Sequence, residues 1–205
     1  APDDLGTRAL EEIRDQAGFW LDTGRPELAL DRRCLHWPLA FPEVFLAADR
    51  IGFDAIVGNP PFLGGKRISG ALGSAYRECS VERVAAGVKG NADLVAYFYL
   101  RAFDLLHEPG AFGLLATNTI GQGETREVGL DQLAAREATI TRAVRSEPWP
   151  GASSLEIAKV WIWKGDWHGL RFHDGIESKG VSSTLGSGQP SDGVPRALHQ
   201  NAGKM

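Results

Sequence analysis

The 205-residue chain carries 22 basic and 26 acidic side chains, a formal charge of −4. Its hydrophobic share of 43% and charged share of 23% exclude wholesale disorder and fit one domain with a real core. Mild acidity speaks against a free-standing nucleic-acid binder, which draws most of its affinity from phosphate neutralisation. The longest apolar run, residues 94–100, is far short of the roughly 20 residues that cross a bilayer. No basic-then-apolar stretch opens the chain, and Cys34 and Cys79 make no disulfide framework. These features point to a cytoplasmic protein with no membrane partner.

Residues 5–21 read as an amphipathic helix, with Leu10, Ile13 and Ala17 on one face. Residues 22–49 turn to proline, aromatic and loop character, notably His36-Trp-Pro-Leu-Ala-Phe-Pro-Glu-Val-Phe45. Phe53-Asp-Ala-Ile-Val57 is a short apolar run halted by Gly58 and two prolines, which predicts a buried strand leading into a rigid turn. Residues 63–90, rich in glycine and mixed charge, predict a long loop with one short helix.

Residues 91–107 predict a helix capped by Asn91 or Asp93, with Leu94, Phe98, Ala102 and Leu105 as its apolar stripe. Pro109-Gly110 ends it, and residues 111–117 predict a second buried strand. A third cycle gives a helix over 124–136, strands over 139–145 and 156–164, and a Trp149-Pro-Gly151 turn. Such alternation predicts an α/β fold with a largely parallel sheet. Residues 182–195, dominated by Ser, Gly and Pro, read as a linker or exposed loop.

Ligand sites of open α/β sheets lie beyond the carboxyl ends of the strands, where Asn59-Pro60-Pro61-Phe62 falls. This composition has a specific chemical use. An exocyclic amine on a base is a poor nucleophile because its lone pair is delocalised into the ring. Two acceptors on its two N–H bonds, the Asn59 side-chain oxygen and the Pro60 carbonyl, favour a tetrahedral nitrogen that can attack a methyl sulfonium. Consecutive prolines fix φ near −65° and hold those acceptors rigidly. Phe62 can stack on a ring taken out of its duplex. The plainer reading of Pro-Pro is a loop stiffener. Proline at about 5% of residues makes an accidental Asn-Pro-Pro-aromatic match roughly a one-in-a-hundred event, and its position at a strand end lowers that further.

Residues 53–62 resemble the catalytic loop of class I S-adenosylmethionine-dependent amino-methyltransferases, in the Asn-Pro-Pro-Phe form of N6-adenine DNA methylases. The 36–45 segment, Gly64-Gly-Lys66, Ala92-Asp-Leu-Val-Ala-Tyr-Phe98, Ala116-Thr-Asn118, Gly121-Gln-Gly123 and Trp149-Pro-Gly151 widen the likeness. They resemble large restriction–modification and phage-defence methylases of the type IIG/IIL sort. The resemblance implies a Rossmann-like class I methyltransferase sheet, S-adenosyl-L-methionine as cofactor and double-stranded DNA as substrate. It implies that Asn59, Pro60 and Phe62 hold the target adenine and that Pro61 lies near the cofactor. The helix with Asp93, Tyr97 and Phe98 would back the pocket, and Trp149 would line the target-base side.

The chain departs from the pattern upstream, where Gly18, Gly24 and Gly52 stand isolated and no Gly-x-Gly turn binds the cofactor. The expectation is therefore an internal segment holding the C-terminal half of the sheet, without its first three strands or a target-recognition domain. Residues 1–48 would be an N-terminal helix and connection, 49–167 the catalytic half, and 168–205 a linker. Alone, such a segment should bind cofactor weakly and methylate nothing. Its partners would be the cofactor-binding and target-recognition segments of a parent protein, which would also carry the basic surface this chain lacks.

Lys66, Arg67, Arg77 and Arg83 follow the loop and could touch DNA phosphates, or could be a solvated surface with Glu78 and Glu82 interspersed. The five histidines are scattered, and Cys34-x-His36 lacks a second pair, so no metal is expected. Gly121-x-Gly123 lacks the third glycine of a dinucleotide fingerprint, and Gly65-Lys66 has Pro60 where a phosphate loop needs glycine. Two other readings remain open: methylation of RNA guanine or protein glutamine, and a non-catalytic remnant or interaction subunit.

Overall fold

In the computed structural model, residues 8, 11–16, 18–19, 35–46, 51–150 and 154–188 are described. Six strands form one sheet in the order β1-β2-β4-β3-β5-β6: β1 (Phe53–Gly58), β2 (Leu106–Thr117), β3 (Thr139–Pro148), β4 (Glu156–Lys164), β5 (Arg171–His173) and β6 (Ile176–Ser178). β1 pairs parallel with β2, and β3 with β5. β4 lies antiparallel between β2 and β3, so the sheet is mixed, where the alternation predicted a largely parallel one. The reason is connection length. A parallel neighbour needs a crossover of a dozen or more residues, and the short link between Pro148 and Glu156 permits only a hairpin return. The α/β class itself is as expected.

The core lies on one sheet face. Phe112, Leu114 and Ala116 of β2 alternate inward with Ala158, Val160 and Ile162 of β4. They meet the Leu94–Leu105 helix, which buries residues on almost every side, from Val95 and Ala96 to Tyr99, Leu100 and Phe103. Tyr99 packs edge-on against Phe112 with ring centroids 5.4 Å apart, and its hydroxyl donates to the Leu114 carbonyl at 2.9 Å. Phe98, expected in the apolar stripe, is instead 39% exposed.

Several other expectations change. Residues 63–90 are mostly helical, with helices Gly65–Leu72 and Ser74–Cys79 running into a π-helical turn over Ser80–Val84. Ile68, Val81 and Ala85 from this segment reach the core, which repays ordering a glycine-rich stretch. The predicted 124–136 helix divides into Gly123–Arg126, a π-helical turn and Gln132–Ala135. In the 36–45 segment two helical turns, Trp37–Ala40 and Pro42–Phe45, replace loop. Trp37, Phe41 and Phe45 close on Phe53 with centroids 5.6, 5.6 and 5.2 Å away, anchoring the start of β1.

Residues 182–188 are not an exposed linker: Ser182 and Ser183 are buried and Leu185 is fully enclosed against the core. Residues 189–195 of that stretch lie outside the described residues. Of the predicted 5–21 helix, the described residues are helical and Ile13 is 65% exposed, while Leu10 and Ala17 lie outside the described set.

Candidate nucleobase cleft

Asn59-Pro60-Pro61-Phe62 leaves the carboxyl end of β1, as the sequence predicts. Asn59 is exposed and its side chain makes no hydrogen bond among the described residues, whereas Pro60 is buried. Phe62 is half-buried and packs against the core, together with Leu63. The Asn59 amide therefore has both polar atoms free to bond a ligand, while the Phe62 ring packs against the core.

What holds this loop comes from thirty residues downstream. Asp93 caps the Leu94–Leu105 helix by accepting from the Val95 N–H at 3.0 Å. The same carboxylate oxygen accepts from the Leu63 N–H at 3.1 Å, and the Leu94 N–H donates to the Leu63 carbonyl at 2.9 Å. The Asp93 N–H donates in turn to the Thr125 hydroxyl at 3.1 Å. The most buried helix of the protein thus fastens the residue after Phe62. A second pin is steric. A side-chain carbon at Gly65 would lie 2.3 Å from the Asn91 carbonyl carbon and 2.4 Å from its oxygen, so only glycine lets the two backbones touch.

Beside the loop opens a cleft of about 400 Å³ lined by Gly64, Gly65, Asn91, Asp93, Thr117, Asn118, Thr119, Thr125, Leu155 and Glu156. It sits at the carboxyl end of β2 and the first residue of β4, because Thr117 pairs with Ile157, next to Glu156; Asn59, Pro60, Pro61 and Phe62 are not among its lining residues. Seven of the ten lining residues carry polar side chains. Glu156 is held by the Ser146 hydroxyl, which donates to its Oε2 at 2.7 Å, and the Asn118 amide contacts the same Ser146 oxygen at 3.5 Å. Asp93, Glu156 and the neighbouring hydroxyls give the interior more acceptors than cations, which suits an amino-bearing base and repels phosphate.

Of the sequence-predicted site residues, Asp93 lines the cleft and Lys66 follows its Gly64–Gly65 wall. Trp149 is half-buried, with its backbone N–H donating to the carbonyl of the cleft residue Leu155 at 2.8 Å. Gly151 of the same turn is outside the described residues. Tyr97 is buried in the core and does not line the cleft; burial raises its hydroxyl pKa, with the Arg77 charge opposing. Pro61 is exposed at the end of β1, near Val57, which is 86% exposed.

Sequence reasoning missed Thr125, Asn91 and Glu156 as cleft residues. Thr125 sits in a stretch read only for helix periodicity, and nothing near Glu156 marks it beyond its place at a strand start. Asn118, by contrast, belongs to one of the matched motifs.

The fold defines a Rossmann-like α/β unit with a cleft lined by polar side chains at the end of β2. Residues 6–144 match the Eco57I restriction-modification methylase family, and the chain belongs to that family. Among solved structures it is similar to the type IIL restriction-modification enzyme MmeI in complex with DNA, at 20% identity and a TM-score of 0.53. That match covers 66% of this chain and 20% of MmeI, so the chain spans about a fifth of its neighbour's length. The EcoKI M protein of a type I restriction enzyme aligns at 11% identity and a TM-score of 0.36, over 56% of this chain and 21% of that one. No curated protein matches in sequence. Among the described residues no helix is long and apolar enough to cross a membrane, and no group of three or more His, Cys, Asp or Glu could hold a metal ion.

Proposed function

We propose that this chain carries the base-binding, catalytic half of an S-adenosylmethionine-dependent N6-adenine DNA methyltransferase within a longer restriction–modification or phage-defence protein. The observation that carries this reading is Asn59-Pro60-Pro61-Phe62 at the end of β1, with the Asn59 amide unengaged, beside a polar cleft in a chain of this methylase family. Residues 49–167 form the catalytic half in this reading, with residues 1–48 leading in and 168–205 leading away.

The flipped adenine would place its exocyclic amine between the Asn59 side-chain oxygen and the Pro60 carbonyl, which accept its two N–H bonds. The nitrogen lone pair then turns out of the ring plane, and Phe62 stacks on the base. S-adenosylmethionine, when bound near Pro61, supplies an electrophilic methyl sulfonium. Asn59 and Pro60 would hold the amine for transfer of that methyl group, and the amine proton would pass to water, so no protein base is required. Asp93 acts here as a positioning residue, holding Leu63 and with it the exit of the loop. Trp149 would close the target-base side and Lys66 would meet the DNA backbone.

Asn59→Ala in the complete protein should lower adenine methylation about 10²–10³-fold, the loss typical of one preorganised polar contact. Its thermal midpoint should stay unchanged, because Asn59 is exposed and unbonded. Methylation measured by transfer of labelled methyl to DNA checks this; undiminished N6-methyladenine in the variant would overturn the reading.

A further inference from the structure

Residues 64–91 form a closed excursion whose two ends meet. The base of the excursion is pinched by the Leu94–Leu63 backbone bond, by Asp93 on the Leu63 N–H, and by the Gly65–Asn91 backbone contact. Both ends border the cleft, since Gly64, Gly65 and Asn91 all line it. The excursion carries five cations, Lys66, Arg67, Arg77, Arg83 and Lys89, against the two carboxylates Glu78 and Glu82, in a chain whose formal charge is −4. One cation is already employed. Arg77 donates from Nη2 to the Gly90 carbonyl at 3.1 Å and so fixes the segment that bears Lys89.

Lys66 and Arg67 leave one end of the pinch, and Lys89 leaves the other. All three are exposed and make no ion pair or hydrogen bond through their side chains among the described residues. Chain positions more than twenty residues apart therefore place exposed cations next to cleft-lining residues, Lys66 directly after Gly65 and Lys89 two residues before Asn91. The interior has the opposite character, with Asp93 and Glu156 in its lining. Cations flanking an acceptor-rich cleft suit a nucleotide whose phosphates stay outside while its base enters.

We propose that Lys66, Arg67 and Lys89 form a phosphate clamp at the cleft mouth, gripping the DNA backbone on both sides of the extruded nucleotide. This rests on the DNA methyltransferase reading and adds Lys89 and the two-sided grip to it. Arg83 lies elsewhere on the excursion, in its π-helical turn, and takes no part.

The test is binding of the complete protein to fluorescein-labelled duplex DNA, followed by anisotropy across a salt series. Removing one cation from a phosphate lowers the slope of log K against log salt by about 0.9, so Lys66→Ala with Lys89→Ala should lower it by about two and weaken low-salt binding about tenfold. Arg101→Ala, an exposed cation on the Leu94–Leu105 helix, should leave the slope unchanged. Lys66→Gln with Lys89→Gln repeats the measurement should the alanine pair fold poorly. An unchanged slope, an equal drop with Arg101→Ala, tighter binding of duplex RNA, or no binding to DNA would each overturn the clamp. Those outcomes leave the Asn59→Ala methylation result untouched, so the two readings fail separately.

Discussion

An exposed edge strand and the most buried of the described helices meet at the same site. β1 exposes Asp54, Ala55 and Val57, the last by 86%, while the Leu94–Leu105 helix leaves only Phe98, Arg101 and Asp104 exposed. Yet β1 carries the tetrapeptide that the proposed chemistry needs, and the helix carries none of it beyond Asp93 at its cap. The difference separates two jobs. A reacting loop must leave its polar atoms free, so it cannot be rigidified by its own hydrogen bonds. Its rigidity is borrowed, from proline and from a neighbour that can bear the cost of order.

The largest effect should come from the buried side. Phe112→Ala, at a ring 1% exposed beneath the helix, should cost about 3–5 kcal/mol in urea unfolding, whereas Val57→Ala on β1 should stay within about 0.5 kcal/mol. Equal destabilisation at the two positions would erase the contrast. Next comes the seam between them. Gly65→Ala would push a methyl into the Asn91 backbone and should cost about 1–3 kcal/mol. Gly64→Ala faces open space and should be close to neutral; a matched pair of midpoints would show that the pinch is not tight.

The smallest effect is in pH. Burial raises the Tyr99 hydroxyl above its ordinary pKa of 10.0, and burial raises Tyr97 in the same direction against the opposing Arg77 charge. Above pH 10 the unfolded chain releases these protons and the native chain keeps them. Their contribution to stability is therefore full below about pH 10 and is lost as pH rises beyond it. Urea midpoints should fall from pH 9.5 upward by more than in Tyr99→Phe, which gives up the bond to Leu114 for about 0.5–1.5 kcal/mol at neutral pH. Identical pH profiles for the two proteins would remove Tyr99 from the account.

Local sequence pattern makes much of this legible. The strand over 156–164 is bounded to the residue, and the turn residues after Phe53–Gly58 put the tetrapeptide at a strand end. Where pattern falls short, the missing information is tertiary. Residues 63–90 look like loop because glycine and charge mask their few apolar positions, and only contact with the Leu94–Leu105 helix turns Ile68 and Val81 into core. Phe98 has the right spacing for the stripe and the wrong side of the helix to be covered.

What the sequence determined by itself was the α/β class, the four main strands and the buried helix before β2, and the position of Asn59-Pro60-Pro61-Phe62. Those follow from periodicity and from the backbone restrictions of proline and glycine, which act locally. Only the tertiary structure decided that β4 inserts antiparallel, that Asp93 faces back onto Leu63, and that Gly65, Asn91, Thr125 and Glu156 line one cleft. Such pairings join residues far apart in the chain, and it is packing over the whole sheet that selects among them.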